Sequence, residues 1–329
     1  MAFPSLSEVR SIPRVTVVGA GNVGSALAKR ILDRHLADVV LIDVVAGRPQ
    51  GIALDLTQAA ALEGHTHSIL GTNDYDDTAN SDVVVVTAGK PRQPGMTRDD
   101  LALVNGPIVM ETVRQALARS PQARLIIVTN PLDVMAYLAW QVSGLPPRQV
   151  MGMAGVLDAA RFRAFIAMEL RVPVSEVSAL VLGGHGDLMV PLPHHAAVGG
   201  IPITQLLDTG TIQRLIERTQ HGGAEIVNLL KTGGAYYAPG AAVATMVEAI
   251  LRNRHTILPA AAYLQGEYQQ QDLYLGVPCR LGLSGVEAVV ELALTESEQA
   301  ALTRSAIAVQ AQVQQAMTAL GAKSMAVVG

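Results

Sequence analysis

Cysteine is almost absent: Cys279 stands alone in 329 residues, so no internal disulfide can form and a reducing compartment is expected. Aromatic side chains make up only 3%, too few for a base-stacking surface. A net charge of -4 with no Lys/Arg cluster leaves no basic face for nucleic acid or an anionic membrane. Long hydrophobic runs are missing as well. The charge-free stretch 188–207 is broken by Pro191, Pro193, Pro202 and two histidines, which makes it a poor spanning helix. The opening MAFPSLSEVRSIPR has no apolar core of signal-peptide length, because Glu8 and Arg10 interrupt it. A soluble, cytoplasmic chain without nucleic-acid or membrane partners is expected.

What is present is apolar: 50% of residues are hydrophobic and 16% charged. A chain of this length exceeds one compact core and predicts two lobes. In the first half, continuous β-branched and aliphatic runs at 15–18, 39–42, 83–86 and 125–128, with a weaker one at 150–153, alternate with helical stretches. Runs without polar alternation suit strands buried on both faces, so the spacing predicts an α/β fold with a doubly wound parallel sheet of Rossmann type. The second half changes character. Helices are predicted near 157–170, 213–230 and 241–254, and extended pieces at 177–182, 190–203, 257–264, 273–277 and 286–292. Thr295 opens a last helix to about residue 320, with Glu298 completing a capping box. The expected division is a dinucleotide-binding domain over 1–150 and a mixed α+β substrate domain over 151–329.

The first run leads straight into Gly19-Ala-Gly21-Asn-Val-Gly24 and then a helix-forming stretch. Gly19 permits the tight turn, Gly21 lets backbone approach a pyrophosphate, and Gly24 allows close helix–strand packing. Asp43 follows 19 residues after Gly24, at the end of the second run. A carboxylate there accepts from ribose hydroxyls and repels a 2′-phosphate, which favours NAD over NADP. The bland alternative is a glycine turn with an incidental strand-end aspartate.

Three further places carry polar chemistry. Gly89–Asp100 is a Gly/Pro-rich loop with Arg92 and Arg98, in which Thr97 caps the next helix; it reads as a lid closing on an anion or as a solvated basic loop. Asp158 and Arg161 are three apart on a predicted helix, either a working pair or a surface ion pair of little consequence. Gly183-Gly-His185-Gly-Asp187 leaves a histidine accessible at the end of an apolar run. His65, His67, His194, His195, His221 and His255 receive a bland structural reading, and no acid or thiol accompanies them at zinc-site spacing, so no metal is expected.

Taken in order, VGAGNVG, LIDVVAGRPQGIALDL, TAGKPRQPGMTRDDL, VTNPLDV, GVLDAARFRAFIAMEL, GGHGD and GGAEIVNLLKTGGAYYAP resemble the lactate/malate dehydrogenase family over nearly the whole chain, specifically its lactate-dehydrogenase-like malate dehydrogenase branch. The resemblance implies reversible hydride transfer between NAD(H) and malate/oxaloacetate. It implies that His185 is the acid/base, that Asp158 holds its other ring nitrogen, and that Arg161 grips the substrate carboxylate with a bidentate fork. Arg98 would stabilise charge developing on the carbonyl oxygen, and Asn130 would contact substrate and cofactor. Gly19, Gly21, Asn22, Val23, Gly24, Asp43, Thr87, Ala88, Gly89, Asn105, Val128 and Asn130 would line the dinucleotide. Arg92 stands where malate enzymes of the family resemble one another in carrying arginine and lactate enzymes carry glutamine. Its guanidinium would match a second carboxylate, so a dicarboxylate substrate is expected.

A lactate or other 2-hydroxy-acid dehydrogenase is the nearest alternative, and Arg92 speaks against it. An NAD-dependent glycosidase is an alternative of another class, but it needs a Cys/His pair near the nicotinamide, and Cys279 lies far along the chain. A non-catalytic nucleotide-binding protein would have no use for the histidine, its aspartate and three arginines. Leu188 and Gln220 depart from residues frequent in relatives, which puts subunit contacts or fine kinetics in question. Uncharged helix faces around 23–36 and 224–246 suggest a homo-oligomer, and by resemblance a tetramer rather than a dimer.

Overall fold

The computed structural model describes residues 12–91 and 95–326. Arg92 therefore lies outside the described residues. From the N-terminal side the chain runs β1 (Arg14–Val18), α1 (Asn22–Asp33), β2 (Asp38–Ile42), α2 (Arg48–Glu63), β3 (Ile69–Thr72), β4 (Val83–Val86), α3 (Arg98–Arg119), β5 (Arg124–Ile127), α4 (Leu132–Ser143) and β6 (Val150–Gly152). The β-branched runs are strands whose side chains are nearly all buried, as a sheet covered on both faces requires. They pair in parallel in the order β3-β2-β1-β4-β5-β6. Strand order reverses between β1 and β4, and the crevice at such a reversal opens at the carboxyl ends of the strands.

β3 has no counterpart in the sequence expectation. Ile69–Thr72 contains a glycine, ends on a threonine and exposes Leu70, so it carries no continuous apolar signal. Its place is set by packing instead: a Cβ on Gly71 would come within 2.6 Å of the Gln50 Cα in the first turn of α2. α1 turns Leu27, Ala28, Ile31 and Leu32 inward, the i, i+4 spacing of one helix face.

After β6 come α5 (Gly155–Leu170), β7 (Val177–Ser178), β8 (Val181–Gly183), β9 (Met189–Pro191), β10 (Ala197–Val198), β11 (Ile201–Pro202), α6 (Ile203–Leu206), α7 (Thr209–Leu230), α8 (Tyr237–Leu251), β12 (Thr256–Gln265), β13 (Gln271–Gly282), β14 (Gly285–Val289) and α9 (Glu296–Ala326). β12 and β13 form a long antiparallel pair that extends past the expected end at residue 277. Pro278 lies within β13 opposite Pro259, so two residues lacking an N–H share one rung. The antiparallel strands join the parallel ones through Gly152 and Ala261, giving an 11-stranded sheet, while β7, β10 and β11 form a separate small sheet.

Of the two uncharged helix faces, the one around 23–36 is largely covered within the chain. α1 and α8 pack together closely, with Gly240 against the backbone of Leu27 and an Arg34–Glu248 ion pair at 3.2 Å. The second stretch, 224–246, keeps large exposed apolar residues at Val227, Leu229 and Leu230 ending α7, and further ones lie at Leu54 and Leu62 of α2. Among the described residues, no helix is long and apolar enough to cross a membrane.

Candidate active site

The glycine turn after β1 adopts the geometry its sequence implies. Gly19 has φ +106°, where an L side chain is strained, and a Cβ on Gly24 would overlap the Gly19 carbonyl oxygen. Gly21 faces open space, with nothing within 4 Å of the place a Cβ would take. Gly21 also caps α1 without any side-chain hydrogen bond, so the first amides of Asn22, Val23 and Gly24 lack a side-chain partner at the positive end of the helix. Asp43, just past β2, accepts the Ala20 N–H at 2.7 Å through one oxygen and the Val45 N–H at 2.9 Å through the other. The carboxylate is thus fixed beside the turn. Thr87 donates to the carbonyls of Val18 and Gly19 at 3.0 Å each, tying the end of β4 to the same loop. Ala88 and Gly89 continue that segment, and Val128 and Asn130 follow β5. An open glycine cradle, free helix amides and an anchored carboxylate are the donor set a dinucleotide requires, so these residues fit NAD.

Asn105 of α3 is buried and fully committed to backbone. Its amide donates to the carbonyls of Lys90 at 3.1 Å and Asn130 at 2.8 Å, and its oxygen accepts the Lys90 N–H at 2.8 Å. It joins two site loops from beneath. Asn130 itself is exposed and precedes a cis proline, Pro131.

The second cluster stands on α5 and on the turn between β8 and β9. His185 Nδ1 lies 2.9 Å from Asp158 Oδ2, and Asp158 Oδ1 accepts from Arg161 Nη1 at 3.1 Å. Asp158 is only 1% exposed, and the His185 and Arg161 side chains are 14% exposed, so this is no surface ion pair. Arg161 lies along α7, where Gly222 and Gly223 leave it room: a Cβ at Gly222 would stand 3.3 Å from its Cδ. The turn is built on glycine. Gly183 has φ +82°, and it opposes Gly276 of β13 so closely that a Cβ on Gly276 would meet the Gly183 carbonyl oxygen at 2.5 Å.

Two residues that the sequence did not single out, Ser305 and Asp133, hold this turn. Gly184 N–H donates to Ser305 Oγ at 2.8 Å, and Ser305 donates to the Leu188 carbonyl at 2.8 Å. His185 N–H donates to Asp133 Oδ2 at 2.8 Å. Arg98, at the start of α3 behind the Thr97–Asp100 capping box, forms an ion pair with Asp187. Asp133 left a sequence trace, an acid inside the apolar stretch PLDVMAYLAW, whereas Ser305 left none. Leu188 packs its side chain against the core, and Gln220 donates to the Met189 carbonyl at 3.1 Å, so both departures are absorbed inside the chain.

Electrostatics favour a protonatable imidazole. Burial opposes charging His185, but Asp158, by charge and hydrogen bond, and Asp133, by charge, outweigh burial and the Arg161 repulsion and raise its pKa. Cys279 is buried in β13 and burial pushes its thiol up to about 12, so the partner that a glycosidase reading needs is inert. The remaining histidines have separate partners, among them Glu298 for His194 at 3.2 Å and Asp38 for His67 at 3.4 Å.

Comparison with known proteins agrees with this geometry. Residues 13–152 match the NAD binding domain of lactate/malate dehydrogenase, and residues 155–319 match the alpha/beta C-terminal domain of the same family. The chain is 58% identical over 314 residues to the malate dehydrogenase of Nostoc punctiforme, covering 95% of this chain and 96% of that one. A solved malate dehydrogenase from Salinibacter ruber superposes with a TM-score of 0.90 at 48% identity, over 94% of this chain and 99% of its own. A lactate dehydrogenase from Cryptosporidium parvum, solved with lactic acid and nicotinamide adenine dinucleotide, superposes with a TM-score of 0.91 at 40% identity, over 94% and 99%. The chain belongs to the lactate/malate dehydrogenase family of NAD-dependent oxidoreductases.

Proposed function

We propose that the chain interconverts malate and oxaloacetate as an NAD-dependent malate dehydrogenase, with His185 as acid/base. The observation that carries this is the chain of contacts from Arg161 through Asp158 to His185, buried at the end of β8. Asp158 occupies Nδ1, so Nε2 is the ring nitrogen left to hold or deliver a proton. With both ring nitrogens protonated, His185 gives the Nε2 proton to the carbonyl oxygen of oxaloacetate; neutral, it takes the hydroxyl proton of malate. Asp158 stabilises the charged state in either direction. One Arg161 nitrogen is engaged by Asp158, and its remaining N–H groups form the fork for the substrate's C1 carboxylate. Arg98 shields the developing oxyanion after leaving Asp187, and Asn130 orients the substrate. Bound NAD supplies the hydride acceptor, and NADH the donor. Gly19, Gly21, Asn22, Val23 and Gly24 cradle the pyrophosphate, Asp43 takes the ribose, and Thr87, Ala88, Gly89, Val128 and Asn130 flank the rest, with Asn105 bracing them.

Residues 1–150 accordingly hold the dinucleotide and residues 151–329 supply the acid/base and the carboxylate fork. Arg92, Arg98 and Asn130 reach the substrate from the first domain. The protein is cytoplasmic, and it assembles as a homo-oligomer, a tetramer rather than a dimer, for which exposed Leu54 and Leu62 supply apolar surface.

Malate over lactate rests on Arg92, whose cation would be left unpaired by pyruvate. Truncating one partner of such a pair costs about 2–5 kcal/mol. Steady-state reduction by NADH of oxaloacetate, pyruvate and longer 2-oxo acids tests this. Oxaloacetate should be preferred, and Arg92→Gln should lower kcat/KM for oxaloacetate relative to pyruvate about 30-fold or more. An unchanged ratio removes the malate assignment.

A further inference from the structure

A buried carboxylate is costly unless something nearby uses its charge. Asp133 sits in the first turn of α4 and is 6% exposed. Its Oδ2 accepts the His185 backbone N–H at 2.8 Å, while its buried Oδ1 has no hydrogen-bond partner among the described residues. A Cβ on Gly184 would lie 3.4 Å from Asp133 Oδ2, so the carboxylate is pressed against the turn that presents the imidazole. Holding an N–H needs only an acceptor. A full charge in that position does something more.

We propose that Asp133 is a second carboxylate for His185: it pins the turn through the amide, and its charge, added to that of Asp158, sets how tightly the imidazole keeps its proton. Asp133 is a positioning residue, and this inference rests on the reading of His185 as the acid/base. The groups facing His185 are few. From α5 come Asp158, which favours the imidazolium, and Arg161, which opposes it; from α4 comes Asp133. Arg98 reaches the turn from α3 already paired with Asp187, and α9 contributes only the uncharged Ser305. Asp133 in turn faces His185 and the like charge of Asp158. Burial, reinforced by Asp158 and eased by the His185 amide and charge, raises it to about 6. It is therefore anionic at neutral pH and becomes neutral just below, which couples its titration to that of the histidine.

Asp133→Asn keeps the size and the acceptor and removes the charge. In the full-length chain, two readouts follow His185: the pH profile of kcat/KM for oxaloacetate reduction, and an NMR titration of the imidazole, assigned with His185→Asn, which needs no turnover. Both midpoints should fall by about one pH unit in Asp133→Asn, as expected for loss of one nearby opposite charge. Ser305→Ala, which loosens the same turn without changing charge, should lower kcat and leave the midpoint in place. Because burial raises Asp133, its contribution to stability is intact below 3.8 and is lost as pH rises through about 6. Asp133→Asn should therefore melt higher than the parent above pH 6. A folded Asp133→Asn with an unmoved midpoint overturns the proposal. If that variant does not fold, the parent decides: its His185 titration must carry a second inflection near pH 6, and a single smooth curve overturns the proposal. Absence of 2-oxo-acid reduction by the parent would instead sink the dehydrogenase reading, while the NMR titration would still decide the charge.

Discussion

At the residue scale, Asp158 is the group on which the site turns. Its two oxygens hold two different side chains, His185 and Arg161, and it is the largest influence raising the proton affinity of the histidine against burial. Asp158→Asn removes the charge while keeping the shape, leaving a buried guanidinium and an imidazolium without their counter-ion. Removing one member of such a pair costs about 2–5 kcal/mol, or ~30- to several-thousand-fold in rate. The expected result is a lower kcat together with a higher KM for oxaloacetate, since both proton transfer and carboxylate binding depend on the one residue. The direction of the pH effect also follows. With His185 as the proposed acid, reduction should fade as pH rises through its raised pKa, so in Asp158→Asn that decline should begin at lower pH. Steady-state profiles that coincide with the parent's would refute the assignment.

At the element scale, the dinucleotide crevice depends on how closely α1 approaches β1. Gly24 makes that approach possible, because a Cβ there would occupy the position of the Gly19 carbonyl oxygen, and backbone cannot yield as a flexible side chain would. Gly24→Ala should push the helix off the turn, at a cost of about 1–3 kcal/mol for overpacking. Thermal unfolding should register the loss, and NADH binding followed by fluorescence should weaken because the α1 amides no longer point into the crevice. The parent melting temperature and NADH affinity in the variant would contradict this account. The turn bearing His185 is governed differently: Gly183 and Gly276 meet face to face across β8 and β13, and Asp133 and Ser305 clamp it from α4 and α9.

At the scale of the whole molecule, ligand binding and stability are linked. Anything that binds only the folded chain stabilises it, by about 2.7 kcal/mol at a concentration one hundred times Kd. On the proposal that Asp43, anchored by the Ala20 and Val45 N–H groups, takes the ribose, NADH should raise the melting temperature at millimolar concentration and NADPH should raise it far less. Asp43→Ser should narrow the gap between the two cofactors, and equal shifts in the parent would withdraw Asp43 as the selector. The sheet that carries this crevice continues through Gly152 and Ala261 into the antiparallel strands, so the dinucleotide crevice and the His185 turn are borne on one hydrogen-bonded framework.

Much of this was legible in the chain itself. Strands buried on both faces leave continuous runs such as VVVV at 83–86, and a phosphate cradle leaves glycines at fixed spacing, because in both cases neighbouring residues meet the requirement. The Asp158–Arg161 pair is likewise local, one helical turn apart. β3 escaped notice because its place comes from packing on α2, and the β12–β13 pair outran its expected end because Pro278 matters only in relation to Pro259. The uncharged face around 23–36 is partly covered because the fold sets α1 against α8, while the end of α7 within 224–246 keeps Leu229 and Leu230 exposed. Sequence alone determined the fold class and the glycine turn of the nucleotide-binding domain, since each is encoded by residues close together along the chain. Tertiary structure alone decided that Asp133 and Ser305, 52 and 121 residues from their bonding partners in the turn, hold the histidine in place. Contacts of that range leave no periodicity or spacing to read, because their energy appears only once separate elements have packed.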